Sequence, residues 1–451
     1  MSGAPVRLAT TLSLTSVVMF GLAYMAPSLV VVIFGIISAA SSGAATTAFA
    51  LSTGAILLTA LSYAKMARHY PVSGSAYTYA RRLLGSPVGF LVGWGVLLDY
   101  LFLPMVAWLT QALYLNASFP QVPVWAWILL NAALTSSINI AGVVLADRVN
   151  RLLTIAAVTL VVVFAAYCLV YLGHHHPASY SAPVWNEHST VTGISAAAAI
   201  AAYSYLGFDA VTTLSEETRD AARTIPRAVV LVVAIGGTLF VAVSYVMQLV
   251  HPGGQFADEQ IAAYAMSVQI GGQAFADWQN LASIVAGFGS CLAVQLSSSR
   301  LLYIMGRDGV LPGRVFGLLN ARTKTPVVCI LLTGAMCLIG LGLSLETATS
   351  FINFGAFTAF TAVNICTIAY FVRNRRGAGV GVLGYVVVPV LAACVTVYMI
   401  TQLSAAAITM GVSWMIAGAV YLVWLTRGFR RPTPELGMDA PEADGVRTSG
   451  S

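Results

Sequence analysis

Charge is what this chain has least of. Asp, Glu, Lys and Arg make up 8% of its 451 residues, and hydrophobic residues 58%. Soluble domains carry about 25% charged residues. So sparse a set cannot coat a water-facing surface, and the chain is expected to lie in a lipid bilayer. Enzymatic and nucleotide signatures are missing as well. There is no HExxH, GxSxG, Gly-x-Gly-Asp or GxxxxGK[ST] segment, which argues against a metalloprotease, a nucleophile-elbow hydrolase, an intramembrane aspartyl hydrolase and an ATP-driven pump. The chain is read as no enzyme and without a cofactor, with a proton or sodium gradient as its energy source. Metal-ligand spacing is absent too: Cys168, Cys291, Cys329, Cys337, Cys366 and Cys394 all fall in apolar runs with no disulfide frame, as small core residues do. A cleavable signal peptide is not expected, because the first apolar run is too long for one and lacks a small-residue cleavage site.

What the chain does have is a series of long apolar runs. Windows of about 20 residues predict twelve spanning helices, at 12–39, 44–67, 87–115, 123–146, 151–173, 191–217, 227–250, 277–305, 326–345, 348–372, 380–401 and 404–427. All 22 Lys and Arg residues then fall at alternate connections or the termini: Arg7, Lys65 to Arg82, Arg148 and Arg151, Arg219 to Arg227, Arg300 to Lys324, Arg373 to Arg376, and the tail from Arg427. The opposite connections hold only acids, Glu187, Asp258, Glu259, Asp277 and Glu346. The positive-inside rule places both termini in the cytoplasm of a plasma-membrane protein. The net charge of +6 thus reports topology and points to no nucleic-acid partner. Residues 1–10 read as a cytoplasmic segment, 11–427 as the transmembrane domain, and 428–451 as a disordered cytoplasmic tail rich in Pro, Gly and acids. His174, His175 and His176 read as a solvated loop, and the 251–276 connection as short helices over the outer face.

Two of the predicted spans are interrupted near their middles. The first reads GLAYMAPSLVVVIFG over 21–35, with Pro27 inside; the sixth reads AAYSYLGFDAVTTLSEE over 201–217, with Gly207 and Asp209 inside. An interruption frees backbone N–H and C=O groups that lipid cannot satisfy, so they must face protein or a wet cavity. If helices 1–5 and 6–10 are inverted copies, the two breaks occupy matching positions near the midplane and can hold a solute between helix ends.

At these residues the chain resembles the amino acid–polyamine–organocation superfamily of transporters. LSYAKMARHYPVSGSAYTYARR (61–82), YLGFDAVTTLSEETRDAARTIPRA (205–228) and SSSRLLYIMGRDGVLP (297–312) carry the likeness further, over about Thr10 to Arg427. GLAYMAPS (21–28) and LLDYLFLPM (97–105) look most like bacterial putrescine importers. The resemblance implies an all-α, 12-helix fold. Its core is a five-plus-five inverted repeat, about 11–173 and 191–372, with helices 1 and 6 broken and two extra helices at 380–427. It also implies departures. Amino-acid carriers of this kind have a Gly-Ser-Gly-like triplet at the first break, where this chain has Met25, Ala26 and Pro27. Proline offers no N–H and Met25 crowds the approach, which favours an amine over a carboxylate. A proton-coupling lysine found in some relatives is matched here by Ala157, and the Asn-Pro that often precedes Arg223 is Asp220-Ala221.

Asp99 lies about 12 residues into the third helix, roughly 18 Å deep at 1.5 Å per residue. A carboxylate there costs on the order of 3 kcal/mol, and no Lys or Arg shares its depth, so it must be protonated, hydrated or paired with a cation that comes and goes, as a transporter of ammonium groups or protons needs. Neighbouring hydroxyls such as that of Tyr100 could instead hold it neutral. Asp209, at the second break, is read as part of the substrate path or as a cap for the following half-helix. The expected substrate cradle is Ala23, Tyr24, Met25, Ala26, Asp99, Tyr203, Gly207, Phe208 and Asp209. Tyr203 is the expected aromatic gate, because relatives place a bulky ring there, and Glu216 with Arg300 an inner ion-pair gate. Ser297 and Ser298 could offer hydroxyls to a sodium ion.

These expectations describe an alternating-access secondary transporter of a small amine, polyamine or amino acid, with putrescine-like uptake favoured. An amino-acid symporter or exchanger of the same fold is the alternative. A membrane aspartyl enzyme using Asp99 and Asp209, or a channel, is the remote one.

Overall fold

The computed structural model describes residues 12–72, 74–141, 143–307, 311–320, 323, 325–374, 381–430 and 433. The segment 1–10, Asp308 and nearly all of the tail beyond Arg430 lie outside the described residues. The described chain is helical from end to end, its single β-bridge aside. Eleven helices are long and apolar enough to span a bilayer, and one shorter apolar stretch sits ninth in order. They are α1 (Leu14–Val32), α2 (Ala45–His69), α3 (Ser86–Asn116), α4 (Val124–Ala141), α5 (Leu152–His174), α6 (Val191–Ser215), α7 (Ala221–Val250), α8 (Ala262–Tyr303), α9 (Val327–Gly340), α10 (Thr347–Arg373), α11 (Leu383–Thr401) and α12 (Ala405–Leu425). The ninth stretch is short because it is two helices, Val327–Ala335 and Cys337–Gly340, joined at Met336. The connection before α8 folds as the short turn Glu259–Ile261 and a helical arm that meets the span at Gly272 (φ 76°).

Burial differs sharply between spans. α1, α3 and α6 are the most buried spans, while α11 and α12 turn most of their surface outward. In a bilayer such apolar outer faces meet acyl chains, so helix association rests on shape and polar ties. One tie is reciprocal: the indole N–H of Trp94 donates to the Trp414 carbonyl, and that of Trp414 to the Trp94 carbonyl, each at 2.9 Å. It fastens α12 to α3. A buried polar chain does similar work between α4, α8 and α9: Asn139 donates to Gln295 (3.0 Å), and Gln295 donates to Ser136 (2.7 Å) and to the Ile330 carbonyl (3.2 Å).

The first interruption has a local cause. The residue before a proline is pushed out of the α region, and Ala26 sits at φ 47°, ψ 85°. The helix Leu14–Met25 stops there and resumes as Leu29–Val32. In α6 the helix Val191–Ala201 tightens to a 3-10 turn at Ala202–Tyr205, opens at Leu206 and Gly207, and continues as a 3-10 stretch from Ala210 to Glu217. Gly207 has φ 101°, a left-handed conformation that only glycine adopts cheaply. It also lies directly beneath the Tyr24 ring, where a Cβ would overlap it. The two breaks therefore touch each other, α1 laying an aromatic ring over the bare backbone of α6.

Candidate functional site

Around this contact the structure gathers polar groups that lipid cannot serve. Asp99 and Asp209 are 4% and 3% exposed, and each leaves one carboxyl oxygen without a hydrogen-bond partner among the described residues. The two acids lie close enough to act on each other electrostatically, and both act on Tyr24, Tyr63 and Tyr100. The Tyr100 hydroxyl is directed toward Asp209 and that of Tyr63 toward Ser75, yet neither completes a hydrogen bond of good geometry; the hydroxyls of Tyr24 and Ser204 have no partner among the described residues. The backbone N–H groups of Gly207, Asp209 and Ala210 approach the Asp209 carboxyl, although its side chain makes no capping hydrogen bond to the stretch that follows; Asp99 has no such support. No Lys, Arg or His of the described residues pairs with either acid. Buried polar atoms in native proteins almost always find partners. The centre thus concentrates acceptors and hydroxyls, with no fixed cation among the described residues.

Beside this centre is a cavity of about 60 Å³. Its wall comes from α1 (Tyr24 to Val32), α3 (Leu103 to Tyr114), α6 (Tyr203, Leu206) and α8 (Ser283 to Val294), and from no other span. Neither acid lines it. Tyr24 and Tyr203 do, and both also lie near enough to Asp99 to interact with it electrostatically, so these two rings border the cavity and the acid centre alike. Successive α3 residues on the wall run away from Asp99 toward the Asn116 end, so the cavity lies on that side. The opposite end is shut by backbone pairing: Leu12, just before α1, bridges Thr218, just after α6, and the Arg219 N–H donates to the Leu12 carbonyl at 3.1 Å.

The remaining expected site residues fall as follows. Ala23 is buried, and its carbonyl receives the Ala26 N–H (3.2 Å) and faces the Ser290 hydroxyl at 3.5 Å. Ala26 lines the cavity. The Met25 side chain packs against Gly236 of α7, so it stands away from the cavity. Phe208 is fully buried in a ring cluster with Tyr63 (5.4 Å) and Phe360 (5.1 Å), binding α6 to α2 and α10. The Ser298 hydroxyl is spent on the carbonyls of Val294 (2.8 Å) and Tyr100; Ser297 is half-buried. Arg300 is half-buried near the end of α8, and the Glu216 side chain lies outside the described residues.

Other contributors gave no local signal. Gln111 donates to the Ile284 carbonyl at 2.6 Å and ties α3 to α8; the Tyr114 hydroxyl donates to the Val32 carbonyl at 3.2 Å and ties α3 to α1. Both border the cavity, and only packing reveals them. Ser290 was detectable in principle, as a hydroxyl two turns of α8 before Ser297.

A family model described as "Amino acid permease" matches residues 10–425. The low-affinity putrescine importer PlaP of Escherichia coli (strain K12) is 36% identical over 436 residues, covering 95% of this chain and 96% of that protein. The branched-chain amino acid permease BcaP of Bacillus subtilis (strain 168) is 26% identical over 404 residues, 83% of this chain and 84% of its own. The methylthioribose transporter of the same organism is 27% identical over 446 residues, 93% and 92% of the two chains.

Proposed function

We propose that this chain, which belongs to the amino acid permease family, is a secondary transporter that takes up a small organic amine of the putrescine type across the plasma membrane, with both termini in the cytoplasm. The observation that carries this reading is the pair of buried carboxyls, each with one unpartnered oxygen and neither paired with a cation among the described residues. Ammonium groups bring only donors and positive charge, which is what Asp99, Asp209 and the ring of hydroxyls lack. The first break supports the same choice. A substrate carboxylate would need free N–H groups there, but Pro27 has none and those of Ala26 and Leu29 are bonded to Ala23 and Ala26. The likeness to a putrescine importer over nearly the whole chain agrees with it.

Tyr24 and Tyr203, which line the cavity and also interact with Asp99, are the wall that cargo has to pass in the transport cycle. Cargo reaches the acids only when Tyr24 and Tyr203 move aside, and leaves only when the Leu12–Thr218 bridge parts. These are the two gates of an alternating-access cycle, both closed in this conformation. Walls drawn only from α1, α3, α6 and α8 support a working core of two inverted halves, since each of the first two then has its counterpart five helices on. An ion gradient drives the cycle.

Radiolabelled putrescine uptake in cells lacking their own importers tests the proposal. Asp99→Asn is expected to lower uptake about 100-fold, as removal of one member of a buried charge pair does, with the protein still present in the membrane. Normal uptake by that variant sinks the role of Asp99. Inhibition by zwitterionic amino acids in place of agmatine and putrescine replaces the amine reading with an amino-acid one.

A further inference from the structure

At the far end of α2 the charges are of the opposite sign. Lys65 is half-buried; its ammonium donates to the Gly384 carbonyl and lies 5.2 Å from the centre of the Tyr385 ring. One turn on, both nitrogens of His69 meet tyrosine hydroxyls, Nδ1 that of Tyr370 (3.0 Å) and Nε2 that of Tyr385 (2.9 Å). The Arg82 guanidinium sits 5.2 Å over the Tyr70 ring, and Arg373 donates to the Arg82 carbonyl at 3.1 Å. Arg68 is exposed beside His69 and Tyr385. Lys65, Arg68, Arg82 and Arg373 thus surround one wall of tyrosines, and residues 61–85 and 361–390 contain no Asp or Glu at all. None of the four pairs with an acid among the described residues.

Two features separate this cluster from basic residues scattered along a membrane surface. First, the start of α11 is wound as a π-helix over Leu383–Val387, a rare form that frequently marks functional sites; the Lys65 ammonium is inserted at its Gly384 carbonyl. Second, the cluster lies where α2 and α10 end and α11 begins, which is headgroup depth for a spanning helix. Rings and carbonyls fix the cations in place but do not neutralise them.

We propose that this cluster is a binding site for an anionic phospholipid, whose phosphate is held by Arg82, Arg373 and Arg68 against the tyrosine wall, with Lys65 pinning the π-turn behind it. Guanidinium groups suit phosphate oxygens in shape and charge. Juxtamembrane cations attract anionic lipid by about 1 kcal/mol each. The site is independent of the amine site and of the transport reading.

The test is native mass spectrometry of the full chain released from nanodiscs of phosphatidylglycerol and phosphatidylcholine. The wild type is expected to retain phosphatidylglycerol selectively. The double variant Arg82→Gln/Arg373→Gln is expected to lose roughly 30-fold of that preference, two cations' worth. Arg82→Lys/Arg373→Lys, which keeps the charge, guards against a folding artefact and retains most of the preference. Equal retention of both lipids, or an unaltered preference in the glutamine variant, overturns the proposal. So does displacement by inorganic phosphate at millimolar concentration, which assigns the site to a soluble anion. Selectivity that emerges only when the chain is cut after Phe429 also overturns it, in favour of the acid-bearing tail as occupant.

Discussion

At the centre of the bundle, Asp99 and Asp209 lie among tyrosine hydroxyls and pair with no cation of the described residues; at the ends of α2, α10 and α11, Lys65, Arg68, Arg82 and Arg373 lie beside tyrosine rings and pair with no acid of the described residues. A chain with 22 basic and 16 acidic residues could have paired many of them. Keeping the two sets apart costs desolvation energy at the centre, where a lone carboxylate is dear, and little at the helix ends, where water reaches. The difference teaches what each region is for. On the reading proposed above, the central acids serve a partner that comes and goes and are therefore buried, whereas the peripheral cations serve a partner always present in the bilayer and are therefore at the helix ends.

The sharpest way to break this contrast is to give the centre its own cation. Asp99→Lys would place an ammonium beside Asp209, satisfying the acid internally. We expect amine uptake to vanish, by more than about 100-fold, while the protein still inserts and still prefers phosphatidylglycerol in the lipid assay. Residual uptake near the wild-type rate would mean that the acid pair does not hold the cargo. Loss of the lipid preference would mean that the two regions are coupled.

Salt separates the regions next. Ion pairs open to solvent weaken as the Debye length falls from about 10 Å at 0.1 M to 3 Å at 1 M, while buried pairs are screened far less. With sodium and proton concentrations fixed, adding KCl to 0.5 M is expected to reduce phosphatidylglycerol preference about fivefold and to change putrescine affinity less than about twofold. A parallel decline of both would put the amine site within reach of bulk ions, contrary to its burial.

How much of this could be read before folding differs by region. The spans followed from the alternation of apolar runs and basic connections, because lipid thickness and headgroup charge act on each segment separately. The first break was legible in Pro27 and the second in Gly207, since both residues restrict or free their own backbone. Contacts between segments were not. Nothing local tells that Gly207 lies under Tyr24, that Met25 points to Gly236, or that Ser298 spends its hydroxyl on Tyr100. Helical periodicity fixes which residues share a face but not which neighbour that face meets. Lys65, Arg68, Arg82 and Arg373 were likewise visible only as topology markers. That they converge on one tyrosine wall depends on α2 and α10 packing side by side, far apart in the chain.

The weakest expected effect is a control on the contrast itself. Trp94 and Trp414 join α3, the helix that carries Asp99, to the peripheral α12 through two N–H donors and stacked rings 5.0 Å apart. Neither charge region takes part. Trp414→Phe keeps a ring in the stack and removes one donor, leaving the Trp94 carbonyl without it. Such a deletion costs about 1 kcal/mol, enough to lower the melting temperature in detergent measurably. Putrescine KM and phosphatidylglycerol preference should both stay within about twofold of wild type, because α3 is also tied to α1 through Tyr114 and to α8 through Gln111. If this neutral variant instead impaired uptake as severely as Asp99→Asn, the position of α3 would matter more than the charge it carries, and the loss in the acid variants would have to be reassigned to packing.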